Sequence, residues 1–174
     1  MPRTSSREQE FTEFVRSRRS RLLGVAYLLC GNRHAAEDLV QIALAKLYVA
    51  WPRVRRLGGE DAYARRVLVN VSIDEHRRPW RREQANERVP DTPVRAAAHD
   101  LEDKHELLQA LGSIPPGQRQ IVILRYWLDL SIEEVAADLD ISTGTVKSQS
   151  AKALNNLRRE LTTIRRNELV KERA

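Results

Sequence analysis

LSIEEVAADLDISTGTVKSQSAKALNNLRRE, residues 130–160, is the stretch whose reading decides the fold. Ser131 stands three residues before Glu134, the spacing at which a hydroxyl and a carboxylate exchange hydrogen bonds with the free amides of a helix start. Val135, Ala136 and Leu139 then fall on one side of that helix, and Ile141 follows a turn. Val146, Leu154, Leu157 and Leu161 give a second helix its apolar side, and small Ala136 lets the two helices approach closely. Asp140 sits where a helix-turn-helix usually has glycine. Aspartate tolerates a left-handed backbone at some cost, so the turn survives. The outward side of the second helix carries Thr145, Lys147, Ser148, Gln149 and Lys152, with Thr143 at its start. These are hydrogen-bonding groups for base edges and cations for phosphates, the equipment of a recognition helix. The plainer reading is a solvated basic helix on a bundle. It requires the capping box, the small inward alanine, the four-residue turn and the polar helix start to coincide by chance.

Bulk properties agree with a nucleic-acid partner. The 174 residues carry a formal net charge of +6, and a pI near 9.9 gives the surface an affinity for polyanions. The length allows one domain or two small ones. With 5% aromatic residues and seven glycines, helix is favoured over an aromatic-rich β design. Cys30 is the only cysteine, so no intramolecular disulfide and no thiolate zinc site can form, and at an apolar helix end it reads as a small buried residue. His34, His76, His99 and His105 have no partners at metal-ligand spacing, and no cofactor is expected. The N-terminal MPRTSSREQEF has no apolar core, and no later run approaches the roughly 18 apolar residues of a spanning helix. The expectation is a soluble, cytoplasmic protein without membrane insertion.

Upstream of the opening stretch, Phe11, Phe14, Val15, Leu22, Val25, Ala26 and Leu29 recur at three- and four-residue intervals, an amphipathic helix with arginines on its far side. Gly31 and Asn32 are expected to close it with positive φ. A second helix reads from Ala35 to Trp51, with Pro52 placed where a helix can no longer continue. After the turn-like LGGED, residues 57–61, a third helix runs from about Ala62 on a core face of Val67, Leu68, Val71 and Ile73, and Pro79 should end or kink it. Residues 83–100 hold two prolines, mixed charge and few large apolar side chains, and read as a linker. Leu101 to Leu111 resumes helical spacing, SIPPGQ (113–118) punctuates it, and Gln118 to Trp127 forms another short helix. The expected architecture is all-α: two small helical domains, 8–82 and 101–166, joined by a flexible linker.

Extended to SIPPGQRQIVILRYWLDLSIEEVAADLDISTGTVKSQSAKALNNLR (113–158), the C-terminal half resembles region 4 of bacterial sigma factors of the extracytoplasmic-function class. AAEDLVQIALAKLYVAW (35–51) resembles the polymerase-binding helix of region 2, and DAYARRVLVNVSIDEHRR (61–78) resembles its promoter-melting helix. The style is most like the actinobacterial SigE-family group. The resemblance implies a factor that binds core RNA polymerase and directs promoter-specific initiation, reading the −35 element as duplex and the −10 element as melted strand. It implies polymerase contacts at Asp38, Leu39, Gln41 and Leu44, with Ile42 departing from the acidic residue common there. It implies −10 contacts at Tyr63, Arg65, Arg66, Asn70, Asp74, Arg77 and Arg78. Trp80 is held evenly between base contact and a packing lid. The loop Arg53 to Ala62 resembles the family's flipped-base loop. The −35 contacts carry over to Lys147, Ser148 and Lys152, whereas Gln149 and Ala151 depart from the residues often found there. Strand capture suits cations and planar groups, and preferential binding of the opened strand drives melting without nucleotide hydrolysis. An anti-sigma partner is typical of the class.

The main rival is a free-standing regulator of the LuxR type, whose helix-turn-helix also reads like ISTGTVKS. Residues 1–100 show no alternating strand pattern or acidic pocket to support it. A hydrolase or nuclease needs clustered carboxylates or a nucleophile with a base; Glu37-Asp38 and Glu133-Glu134 are adjacent pairs that face different directions on a helix. The chain is not expected to be an enzyme.

Overall fold

The computed structural model describes the backbone of residues 6–77 and 98–171, and side chains over 6–75 and 104–170. All regular structure among the described residues is helical. Among the described residues the chain divides into two compact units, one of residues 6–27 and 32–77, the other of residues 28–31 and 98–171.

The first unit contains α1 (Ser6–Cys30) as far as Tyr27, α2 (Arg33–Leu57) and α3 (Glu60–Arg77). Gly31 ends α1 with a φ of 70°, as expected. Asn32 does something else: its backbone is extended, and its side-chain oxygen accepts the Ala35 amide at 3.0 Å, making it the N-cap of α2. Cys30, read as buried, is half-buried. The larger departure is at Pro52, which lies inside α2 instead of ending it. Proline offers no N–H to the carbonyl four residues back, that of Tyr48. The Arg7 guanidinium of α1 donates to that carbonyl through Nη2 at 2.7 Å, with its Cζ 4.6 Å from the Tyr48 ring centroid. Phe11 and Phe14 pack their rings at 4.9–5.2 Å against Tyr48 and Trp51, so tertiary contacts hold the helix through its own breaker. Gly58 and Gly59, with φ of 72° and 89°, then turn the chain into α3. Leu47 of α2 and Leu68 of α3 are fully buried at the centre of this unit.

The second unit consists of α4 (Ala98–Ser113), α5 (Pro116–Val122), a π-helical turn (Ile123–Trp127), α6 (Ile132–Leu139) and α7 (Thr143–Lys171). Residues 98–100, read as linker, are thus the first turn of α4, and α7 continues past the boundary read at 166. The remainder of the stretch read as linker, and Pro79, lie outside the described residues. Pro116 opens α5 at a position where its missing N–H costs nothing. The Arg125 guanidinium donates to the Leu130 carbonyl and ties the π turn to the start of the helix-turn-helix. The capping box reads as expected: Ser131 Oγ accepts the Glu134 amide at 3.1 Å, and Glu134 Oε2 accepts the Ser131 amide at 2.8 Å. Leu124, Val135, Val146 and Ala153 are each fully buried in the core of this unit. Further along α7, Arg165 donates to Glu106 of α4 at 2.8 Å.

Asp140 takes the left-handed conformation, φ 54° and ψ 49°, at the C-cap of α6. An L side chain there costs about 1 kcal/mol that glycine avoids. Asp140→Gly should therefore raise the thermal midpoint of this unit by about 4–8 °C, measured by differential scanning calorimetry. An unchanged or lowered midpoint would mean that the Asp140 carboxylate stabilises the turn in place.

Candidate polymerase and nucleic-acid interfaces

Ser142 sets the start of α7: its Oγ accepts the Thr145 amide at 3.0 Å and lies 2.8 Å from the Thr145 hydroxyl. From that start, Val146, Ser150, Ala153 and Leu157 turn inward at helical spacing. Thr143, Thr145, Lys147, Ser148 and Lys152 are all exposed, so most of the residues read as the recognition surface share the outer side of one helix. The Thr145 hydroxyl is already engaged by the cap. Gln149 differs from them in exposure. It is half-buried, and its amide oxygen accepts from Gln118 Nε2 at 3.3 Å, while Gln118 accepts from Asn156 at 2.8 Å. This amide chain fastens α7 to α5. In the place given to Gln149, the structure exposes Asn155, seven residues beyond Ser148 and on the same side.

On α2, Asp38 and Gln41 are exposed as expected, but Leu39, read with them, is 2% exposed and part of the core, and Leu44 is half-buried. Continuing the Asp38–Gln41 side by three- and four-residue steps reaches exposed Ala45 and then Val49, a large apolar side chain 80% exposed. On α3, Tyr63, Arg66, Asn70 and Asp74 follow one another at the same spacing, half-buried at Tyr63 and exposed beyond it. Arg65, read with them, is half-buried and lies toward the side that carries Leu68 and Ser72. Arg77 closes the described helix. Its side chain, with Arg78 and Trp80, lies outside the described residues.

The loop before α3 is shorter than the ten residues read as a flipped-base loop. Residues 53–57 complete α2 and 60–62 begin α3, leaving Gly58 and Gly59 between them. Arginines hold both acids of the first α3 turn. Arg55 donates to Glu60 at 2.9 Å and to Glu10 of α1 at 3.3 Å, while Arg18 grips Asp61 with two bonds at 2.7 and 3.2 Å. Glu60 is held below its ordinary carboxylate value by its own backbone amide first and Arg55 second, and Arg55 and Arg18 are raised by their acidic partners. Among the described residues no group of side chains could hold a metal ion, and no helix is long and apolar enough to cross a membrane.

Residues 14–82 match the sigma-70 region 2 family and residues 104–157 the sigma-70 region 4 family. The RNA polymerase sigma-E factor of Streptomyces coelicolor is 40% identical over 152 residues, covering 87% of this chain and 86% of that protein. The chain belongs to the sigma-70 family of RNA polymerase sigma factors. The sigma-E factor of Streptomyces antibioticus is similar at 39% identity, over 88% of this chain and 86% of its own. The extracytoplasmic-function factor SigE of Mycolicibacterium smegmatis is 33% identical over 84% of this chain and 59% of its own. The fold is shared with the sigma factor RpoE of Bartonella quintana, solved with the anti-sigma factor NepR, at a TM-score of 0.73 and 24% identity, over 88% of this chain and 98% of that one.

Membership removes the LuxR-type reading, because region 2 occupies the residues where such a regulator carries its sensor. A sigma factor is a non-enzymatic transcription-initiation factor. The −35 candidates of this sigma factor lie within its region 4 match, and the α2 and α3 rows within its region 2 match. Ser6–Glu13, which carries Arg7, Glu10 and Phe11, precedes the region 2 match.

Proposed function

We propose that this sigma factor docks on core RNA polymerase through the exposed side of α2 and reads promoters with α7 and α3. Asp38, Gln41, Ala45 and Val49 form the polymerase face. Thr143, Lys147, Ser148, Lys152 and Asn155 meet the −35 element in the major groove, where a helix of this kind fits. Tyr63, Arg66, Asn70 and Asp74, continued by Arg77, Arg78 and Trp80, capture the −10 strand as it opens. The observation that carries the reading is the recurrence, on one side of each of three helices, of exposed residues suited to its partner. The −35 helix stays on duplex DNA, whereas the α3 row gains contacts only when bases unstack, so binding itself shifts the promoter toward the open form. Two further readings accompany it: a cytoplasmic location, where polymerase and promoter are found, and an anti-sigma factor as a third partner, supported by likeness to factors solved with one.

The test is reconstitution. Purified core polymerase with this protein should start transcription at discrete sites in a randomised promoter library, and core polymerase alone should not. Lys152→Ala should weaken binding across all selected promoters and lower the slope of log affinity against log salt by about one unit, the signature of a lost phosphate contact. An unchanged slope with altered sequence preference would make Lys152 a base-reading residue instead.

A further inference from the structure

We propose that the first two turns of α1 are a positioning element for promoter opening: Arg7 supplies the hydrogen bond that Pro52 cannot make, and Glu10 reaches Glu60 through Arg55, so the α2–α3 junction is held in one arrangement. The proposal rests on the reading of α2 as the polymerase face and α3 as the strand-capturing row.

Pro52 divides α2. Everything assigned to polymerase lies before it, and everything after it, Arg53 to Gly59, leads into the first turn of α3. A helix with a proline at this place lacks one rung of its ladder and is prone to kink there. The missing rung is replaced from outside, by Arg7 on the Tyr48 carbonyl at 2.7 Å. Three residues along, Glu10 accepts from Arg55 at 3.3 Å, and the same arginine donates to Glu60 at 2.9 Å, spanning the two-glycine turn. The buried sides of α2 and α3, Leu47 and Leu68 among them, pack the two helices together, while Gly58 and Gly59 have no side chains with which to fix the turn itself, so the Arg7 and Arg55 contacts add to that packing at the junction. Arg7 and Glu10 precede the region 2 match, whereas Tyr48, Pro52, Arg55 and Glu60 lie within it.

The contacts differ in weight. Arg55 and its carboxylate partners are surface pairs, screened by salt and individually weak. The Arg7 bond is charge-assisted and made to a carbonyl that has lost its helical donor, so Arg7 dominates and Glu10 contributes mainly at low ionic strength. The effect should appear at one step only. Docking uses α2 before Pro52 and duplex reading uses α7, whereas strand capture requires α3 to sit in register with a template that α2 has already fixed. A loose junction spreads the α3 row over many orientations, and the opened strand then has to select among them.

The experiment measures holoenzyme on a promoter selected from the randomised library, separating core binding, closed-complex affinity and opening rate, the last by 2-aminopurine fluorescence in the −10 element. Arg7→Ala should slow opening about tenfold while leaving core binding and closed-complex affinity within about twofold of wild type. Arg7→Lys, which can still donate to one carbonyl, should recover most of the rate. Pro52→Ala restores an N–H for Tyr48, so in that background Arg7→Ala should slow opening by less than about twofold. Glu10→Gln should produce a smaller slowing that disappears at high salt. Opening at the wild-type rate by Arg7→Ala, a defect that persists undiminished with Pro52→Ala, or a parallel fall in core binding would each overturn the proposal. If the wild-type holoenzyme opens no library member, the functional reading fails first and takes this inference with it.

Discussion

Asp38→Arg should reduce capture of core RNA polymerase by about 100-fold or more, the range expected when a charge is reversed within a complementary interface. Asp38 is exposed near the start of α2, so the substitution leaves the core of the first unit untouched. Leu39→Ala offers the contrast. Its side chain is in the core, and truncation there costs about 2–5 kcal/mol of fold stability, so any loss of polymerase binding should track unfolding. Binding by fluorescence anisotropy alongside thermal melting separates the two cases. Val49→Asp tests the apolar end of the same face and should act in the same direction as Asp38→Arg. Retained affinity in Asp38→Arg with a normal melt would move the docking surface off this side of α2.

The helix-turn-helix was legible because its determinants are local. A capping box, a left-handed aspartate and an inward Val146 are each specified within a few residues, and each is found where its spacing puts it. Pro52 and Asn32 were misread for the opposite reason. A proline rule describes an isolated helix, whereas the donor for Tyr48 comes from Arg7, 41 residues away in the chain, a pairing that no local pattern contains. Asn32 next to Gly31 was read as the end of one helix, although a short polar side chain there serves equally well to begin the following one.

The candidate sites show a similar division. Residues exposed by helical phase were found, whereas family position alone brought in Leu39 and Arg65, which the helix phase turns toward the packed side. Counting from Val146, Ala153 and Leu157 would have placed Asn155 outward and Gln149 at the margin, so that signal was present in the sequence. The Gln118–Gln149–Asn156 chain was not, since polar side chains announce neither their partners nor their direction. Val49 was hidden by its chemistry: an apolar residue in an amphipathic helix reads as core until the packed side is known.

Val146→Asp should abolish promoter recognition while sparing polymerase capture. Val146 has no exposed surface and sits in the core of the second unit with Val135 and Ala153. A carboxylate there has two routes, both unfavourable. It stays ionised without a partner or takes up a proton, and either costs several kcal/mol, a large share of the roughly 5–15 kcal/mol that stabilises a typical domain. Val146→Ala, which leaves a small void, should cost about 2 kcal/mol and weaken −35 duplex binding only near its lowered midpoint. The first unit keeps its own core around Leu47 and Leu68, so Val146→Asp should still capture core polymerase through α2. Circular dichroism melts, duplex binding and polymerase pull-down on the same preparation give the three readouts. Loss of all three together would show that the units depend on one another to fold. Loss of duplex binding and of one melting transition, with capture intact, would assign the −35 contact to α7 and the polymerase contact to the first unit in one experiment.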